Sequence, residues 1–185
     1  MLAYLPRMVR PERVFLIGPM GVGKSTIGRH LAALMQKEFL DSDQEIERRT
    51  GASVSLIFEI EGEDGFRRRE ASVIEELSQR SNLVLATGGG AVLAEDNRRA
   101  LRARGVIIYL HAPIDILVQR TVRDRGRPLL QSGDRRQKLE DIMKAREPIY
   151  RDIAHLVVQT ELRPPQSVAR EILGKLNELE IDEHA

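Results

Sequence analysis

The feature that most constrains this chain lies near its start. Val14-Phe15-Leu16-Ile17, a wholly apolar run, passes directly into Gly18-Pro19-Met20-Gly21-Val22-Gly23-Lys24-Ser25, which fits the pattern G-x-x-x-x-G-K-[ST]. Chance matches to its four fixed positions at this composition number roughly 0.002 over the whole chain, so coincidence is a poor explanation. The pattern makes demands on its surroundings. Glycines let successive backbone N–H groups turn inward as an anion nest. The helix that follows adds its unsatisfied N–H groups and the positive end of its dipole. The strand that precedes it is buried on both faces, as an apolar run of this kind suits a parallel sheet. The pattern therefore predicts a site for nucleotide phosphates over residues 18–26, with Gly21, Val22, Gly23, Lys24, Ser25 and Thr26 as contacts. Lys24 would reach the β- and γ-phosphates, and the Ser25 hydroxyl would ligate Mg²⁺.

The rest of the chain repeats the alternation. Phe39-Leu40, Leu83-Val84-Leu85-Ala86, Val106-Ile107-Ile108-Tyr109-Leu110 and Leu156-Val157-Val158 are further strand candidates. Between them, Ile27, Leu31 and Leu34, then Val73, Ile74 and Leu77, fall at helical spacing, as do Val168, Ile172, Leu176 and Leu179 near the end. Pro113 suits the first turn of a helix. Strands alternating with amphipathic helices read as βαβ units, hence an α/β/α sandwich around a five-stranded parallel sheet. At 185 residues the chain is one domain's worth. Residues 1–12, with Pro6 and Pro11, read as a loose lead-in, residues 13–180 as a single domain, and residues 181–185 as a tail. Arg123 to Arg136, polar and punctuated by Gly126, Pro128 and Gly133, reads as a mobile excursion from the domain.

Composition removes several classes. Without Cys there is no disulfide, thiolate metal site or Cys nucleophile, and the four His show no metal-ligand spacing. No apolar run approaches a membrane span, and the N-terminus lacks the apolar region of a signal peptide, so a cytoplasmic protein is the simplest reading. Aromatic residues make up 4% of the chain and Trp is absent, which weakens single-strand nucleic-acid binding. A GTPase would need N-K-x-D, which is missing. A motor ATPase would carry acids at the end of the third strand, where Ala86-Thr87-Gly88-Gly89-Gly90 stands instead. A small-molecule kinase remains.

Asp41-Ser42-Asp43 follows the second strand, and strand C-termini gather at the ligand edge of a parallel sheet. Two carboxylates there could divide two jobs, one holding a Mg²⁺ water and the other taking a substrate hydroxyl proton. The plainer alternative is that Ser42 or Asp43 caps a helix starting at Gln44. Gly88-Gly89-Gly90 reads either as a tight turn or as backbone brought close to a polar substrate.

Taken in order, GPMGVGKSTIGR, FLDSDQEIE, FRRRE, TGGGAV, RPLL and KAREPIYR resemble the shikimate kinase family, from about Val14 to about Leu176. The phosphate loop is common to many families; the later motifs in this order are far more specific. The resemblance implies strand order 2-3-1-4-5, a substrate-binding segment at about 41–80 and a lid at about 122–136. It implies phosphorylation of the 3-hydroxyl of shikimate by ATP with Mg²⁺, on the chorismate route to aromatic amino acids, by a monomer. It makes Asp43 the shikimate-hydroxyl ligand and base, and Asp41 the carboxylate that contacts Mg²⁺ through water. Arg67 and Arg146 become the two arms of a carboxylate clamp, beside the backbone of Gly88, Gly89 and Gly90. Arg127 becomes the lid arginine on the transferred phosphate, and Arg120 packs on adenine, with Pro164 or Pro165 opposite.

The chain has 24 Arg and 5 Lys, yet a net charge of only +1. Most of these arginines need only a solvated face. Arg67 stands four residues after Glu63, a spacing that makes ordinary surface pairs, and Arg146 sits beside Glu147. Arg68, Arg69, Arg98, Arg99, Arg102 and Arg104 are expected on the surface. Arg123, Arg125, Arg127, Arg135 and Arg136 face only Asp124 and Asp134 in their stretch, an excess that suits capture of an anion. Two rivals remain. A gluconate kinase would share the phosphate loop and a strand-2 acid, with less reason to match the FRR, GGG and RPLL motifs together. A nucleic-acid module using its arginines would be at odds with the near-zero net charge and the acidic C-terminal end.

Overall fold

The computed structural model describes residues 11–122, 129 and 133–179. Its centre is β1 (Arg13–Ile17), whose Val14, Phe15, Leu16 and Ile17 are wholly buried. This strand pairs in parallel with β3 (Leu83–Ala86) on one side and β4 (Val106–His111) on the other. Outside these lie β2 (Glu38–Asp41) and β5 (Leu156–Gln159), also parallel. The sheet order is β2-β3-β1-β4-β5, as the resemblance implies. The apolar runs of the sequence mark the strands to within a residue or so; β1, β3 and β4, covered on both faces, have no polar register to obscure them, whereas the edge strands β2 and β5 are partly exposed.

With every strand parallel, all C-terminal ends open on one edge. The helices cover the two faces. α1 (Lys24–Met35) packs against α7 (Pro165–Glu178) on one face; on the other lie α3 (Val54–Leu77), α4 (Glu95–Arg104) and α6 (Arg135–Ile153), the arrangement right-handed crossovers require. α2 (Ser42–Thr50) and α5 (Ile114–Thr121) follow β2 and β4 at the ligand edge, and a 3₁₀ turn, Ala91–Leu93, follows the glycine run. No described helix is long and apolar enough to cross a membrane.

Two local expectations need adjusting, and one feature was not foreseen. In α1 the buried stripe is Ile27, Leu31 and Met35 with Gly28 and Ala32, whereas Leu34 is 39% exposed. Pro113 occupies the cap position, one residue before the first turn of α5. Nor is α3 one continuous helix: Gly62, at φ 70° and ψ −179°, breaks it into two segments. That conformation belongs almost exclusively to glycine.

Candidate active site

Gly18 sits at φ +140°, and a side chain there would place its Cβ 2.5 Å from the Leu110 carbonyl oxygen. Gly21, at φ +79°, would bring a Cβ to 2.8 Å from Thr121 Cγ2. Both positions therefore exclude side chains, by backbone strain and by contact with the neighbouring strand and helix. Gly23, at φ 102°, is the N-cap of α1; it offers no side-chain cap, and the first turn holds no acid. The helix thus presents uncapped N–H groups and an unopposed positive dipole end. Val22 is wholly buried and anchors the loop. The Lys24 ammonium folds back over the loop, donating to the carbonyls of Gly18 (2.8 Å) and Pro19 (2.9 Å). Ser25 and Thr26 line the same cleft.

β2 ends at Asp41, and the alternation that would place Asp41 and Asp43 on one side of a strand does not apply, because α2 begins at Ser42. The helix cap is Asp41, in place of Ser42 or Asp43: its Oδ1 accepts from the N–H groups of Asp43 (3.0 Å) and Gln44 (3.2 Å). Its other oxygen, Oδ2, accepts from the Ser25 hydroxyl at 2.5 Å. One carboxylate thus fixes the start of α2 and reaches the end of the phosphate loop. Ser42 is wholly buried and accepts the Gly88 N–H at 2.9 Å, tying the glycine turn to α2. Asp43, freed from capping, lines the cleft.

The glycine turn lies between these carboxylates and two arginines. A Cβ at Gly88 would strike Glu70 Oε1 and lie 2.7 Å from Asp43 Oδ1; one at Gly90 would overlap the Arg67 guanidinium. Gly89 rests on the phosphate loop, where a Cβ would meet Gly18 O and Met20 N at 3.4 Å. The run is therefore more than a tight turn, since it lets charged groups close in from two sides. Arg67 does make its surface pair with Glu63 (2.9 Å), but it also pairs with the wholly buried Glu70 at 2.6 Å. Burial works against both charges. It pushes the Glu70 carboxyl above the ordinary carboxylate range despite the pull of Arg67. At Arg67 the same burial is outweighed by Glu70 and Glu63, so the guanidinium holds its proton more firmly. Arg146 is only 6% exposed. Its neighbour Glu147 pairs instead with Arg151 (2.6 Å), so the surface-pair reading fails for Arg146.

A cleft of about 440 Å³ joins these groups: Lys24, Ser25, Asp41 and Asp43 at one end, and Arg67, Arg146 and the three glycines at the other. Arg120 borders it, donating to Val22 O (3.2 Å) and to Thr160 O (3.0 Å), so it bridges the phosphate loop and the segment before α7. Leu129 lines the cleft as well; Arg127, with residues 123–128 and 130–132, lies outside the described residues. The remaining arginines mostly form surface pairs, such as Arg69 with Glu61 and Arg102 with Asp152. Arg98 and Arg104 are half-buried instead: Arg98 donates to Val92 O, and Arg104 pairs with Glu75.

Two residues of the site went unassigned in the sequence reading. Glu70 stands three residues after Arg67 in FRRRE, one turn along the same helix face. Tyr150 stands four residues after Arg146 in KAREPIYR; wholly buried, it donates its hydroxyl to Gly89 O at 2.5 Å. Helical spacing from a suspected ligand was the available signal for both.

A phosphate loop at the open edge of a 2-3-1-4-5 sheet, facing a pocket lined by a carboxylate and two arginines, defines a P-loop kinase for a small anionic molecule. The family model for shikimate kinase matches residues 20–177. A shikimate kinase of Shewanella sp. (strain MR-4) is 53% identical over 169 residues, 91% of this chain and 99% of the relative. The solved shikimate kinase of Acinetobacter baumannii in complex with shikimate superposes with a TM-score of 0.90 at 49% identity, covering 92% of this chain and 96% of that one. A gluconokinase of Sinorhizobium meliloti 1021, at 18% identity and a TM-score of 0.56, shares the fold alone. The chain belongs to the shikimate kinase family.

Proposed function

We propose that this protein transfers the γ-phosphoryl group of ATP to the 3-hydroxyl of shikimate, giving shikimate 3-phosphate and ADP. The observation that carries the reading is one cleft that joins an uncapped phosphate loop to a carboxylate, Asp43, and two sequestered guanidiniums, Arg67 and Arg146. A pair of arginines would also suit the carboxylate of gluconate or the phosphate of a nucleotide; what favours shikimate over them is the likeness to shikimate kinases, 53% identical over 169 residues.

The nucleotide phosphates rest on residues 18–26, and Lys24 leaves the loop carbonyls to meet them. Ser25 Oγ and Asp41 Oδ2, 2.5 Å apart, are hard oxygen donors of the kind Mg²⁺ takes alongside phosphate and water, so the donor set fits that ion. When bound, Mg²⁺ neutralises charge on the phosphates. Arg67, Arg146 and the backbone of Gly88–Gly90 hold the substrate carboxylate, which fixes the hydroxyl that meets Asp43 and turns binding energy into orientation. Asp43 accepts the hydroxyl proton. Arg127 is assigned to the transferred phosphoryl group, Arg120 to the adenine. The segment 41–80 serves the acceptor, and residues 122–136 serve as a lid that excludes water from the reaction. The protein is read as a cytoplasmic monomer that handles two small anions and neither nucleic acid nor membrane.

A coupled assay of ADP release tests this directly. Turnover should require shikimate and Mg²⁺ and should be absent with gluconate or nucleoside monophosphates. Equal or greater turnover with gluconate would overturn the assignment.

A further inference from the structure

Tyr150 connects two parts of the acceptor site that come from different elements. Its ring is wholly buried and stacks on Tyr109 with centroids 5.0 Å apart. Its hydroxyl donates to the Gly89 carbonyl at 2.5 Å, and the Arg146 guanidinium, one helical turn earlier on α6, is near enough to the same side chain for its charge to pull against the burial of the phenol. The phenol proton is committed to Gly89, so toward a guanidinium, which can only donate, the side chain offers its oxygen. Burial pushes the hydroxyl up to about 12, so it keeps this proton at any working pH. A peptide unit is planar and trans, so the Gly89 carbonyl and the Gly90 N–H point in opposite directions. Holding the carbonyl on the Tyr150 hydroxyl therefore turns the Gly90 N–H away from that hydroxyl, toward the open side of the turn. Among the described residues that N–H meets no acceptor, and the Arg67 guanidinium packs against the Gly90 Cα.

We propose that Tyr150 is a positioning residue for the acceptor's carboxylate: its hydroxyl sets the Arg146 guanidinium and the Gly90 N–H in register with each other, so that a planar carboxylate meets both. The inference rests on the clamp assigned above. Tyr150 touches neither reacting atom; it acts through Arg146 and the glycine turn. Tyr109 supplies the control. Its hydroxyl is equally buried and has no hydrogen-bond partner among the described residues, so its loss removes a core hydroxyl without touching the clamp.

The test compares Tyr150→Phe with Tyr109→Phe in the wild-type background and repeats Tyr150→Phe in an Arg146→Lys background. Wild-type turnover of shikimate is established first; its absence would overturn the functional reading and this inference with it. Given turnover, Tyr150→Phe should raise the KM for shikimate about tenfold, the loss expected for a hydrogen bond to a charged group. The KM for ATP and kcat should stay within about twofold, and Tyr109→Phe should leave all three constants near wild type. In the Arg146→Lys background, Tyr150→Phe should cost much less, since residues acting as one unit are not additive. An unchanged shikimate KM, full additivity with Arg146→Lys, or parallel loss for both substrates would overturn the proposal. So would failure of Tyr150→Phe to fold while Tyr109→Phe folds, which would make the hydroxyl a fold element.

Discussion

Gly90→Ala separates the acceptor site from the fold more sharply than any other single change. The residue stands at φ −94° and ψ −2°, a conformation open to alanine, so no backbone strain is introduced. The added methyl would overlap the Arg67 guanidinium, the mobile end of a long side chain. Ordinary contact distance requires that group to withdraw by more than about 1 Å. The loss of one charged hydrogen-bonding arm should lower kcat/KM for shikimate by about 10- to 100-fold. kcat/KM for ATP should change little, since the methyl points away from the phosphate loop. The effect on stability should be small and depend on pH. The exposed Arg67–Glu63 pair contributes at most about 1 kcal/mol. The larger consequence falls on Glu70, whose buried carboxyl loses its partner and is pushed still further above the ordinary value of 4.5. For an acid whose pKa is raised on folding, the native state binds more protons than the unfolded chain. The added penalty is therefore absent below the wild-type native value, itself raised by burial, and grows as pH rises through it. Thermal melts should show a smaller deficit against wild type at pH 5 than at pH 8, and a coupled ADP assay gives the two specificity constants. A variant with wild-type kcat/KM for shikimate and an intact fold would remove Arg67 from the clamp. An equal deficit at both pH values would refute the account of Glu70.

Two further tests address other parts of the molecule. Asp41→Ala should cost about 1 kcal/mol through loss of the helix cap, whereas Asp41→Asn keeps an oxygen for the cap and should cost less. Both should raise the Mg²⁺ concentration needed for half-maximal turnover, and an unchanged requirement would dissociate Asp41 from the ion. His155 Nδ1 accepts the Ile107 N–H at 2.9 Å, and burial, aided by Arg102, lowers the imidazole's pKa below its usual 6.5. The unfolded chain then binds the proton more readily, so this contribution to stability is full above pH 6.5 and is lost as pH falls toward the depressed native value. His155→Asn, which cannot titrate, should show a shallower fall in melting temperature between pH 7.5 and 5; identical slopes would contradict this.

What could be read from the sequence follows from the range over which each constraint acts. Val14–Ile17 and the glycines of the phosphate loop impose burial and backbone conformation locally, and both are visible in a short window. The acids at 41 and 43 were visible as candidates, but not the division between them. That depended on where β2 stops, a matter of one residue, and Asp41 proved able to cap α2 and reach Ser25 at once. The break at Gly62 was hidden because an isolated glycine within an otherwise helical pattern is usually tolerated. Glu70 and Tyr150 were hidden for a different reason. Glu70 looks like one more member of a charged helix, and Tyr150 like a core aromatic. Only packing shows that the first is wholly buried against Arg67 and that the second is bonded to Gly89, 61 residues away in sequence.

The same packing explains how a domain with 24 arginines and a net charge of +1 can select a single small anion. Most of the described guanidiniums are engaged by carboxylates or backbone carbonyls at the surface, and such pairs add little to binding or stability. Arg67 and Arg146 differ because they are withdrawn from bulk water, where charge interacts more strongly and is costly to leave unmatched. Glu70 offsets that cost on one arm in the absence of ligand, and the Tyr150 phenol lies against the other. In the proposed clamp, a carboxylate arriving between them would complete a cluster already held in shape, and the binding energy would be spent on orientation rather than on ordering the site. A neutral polyol would leave Arg146, which pairs with no carboxylate among the described residues, as a buried cation without its counter-charge. If Arg67 and Arg146 form the proposed clamp, discrimination against uncharged sugars follows from the burial of Arg146 and requires no steric exclusion.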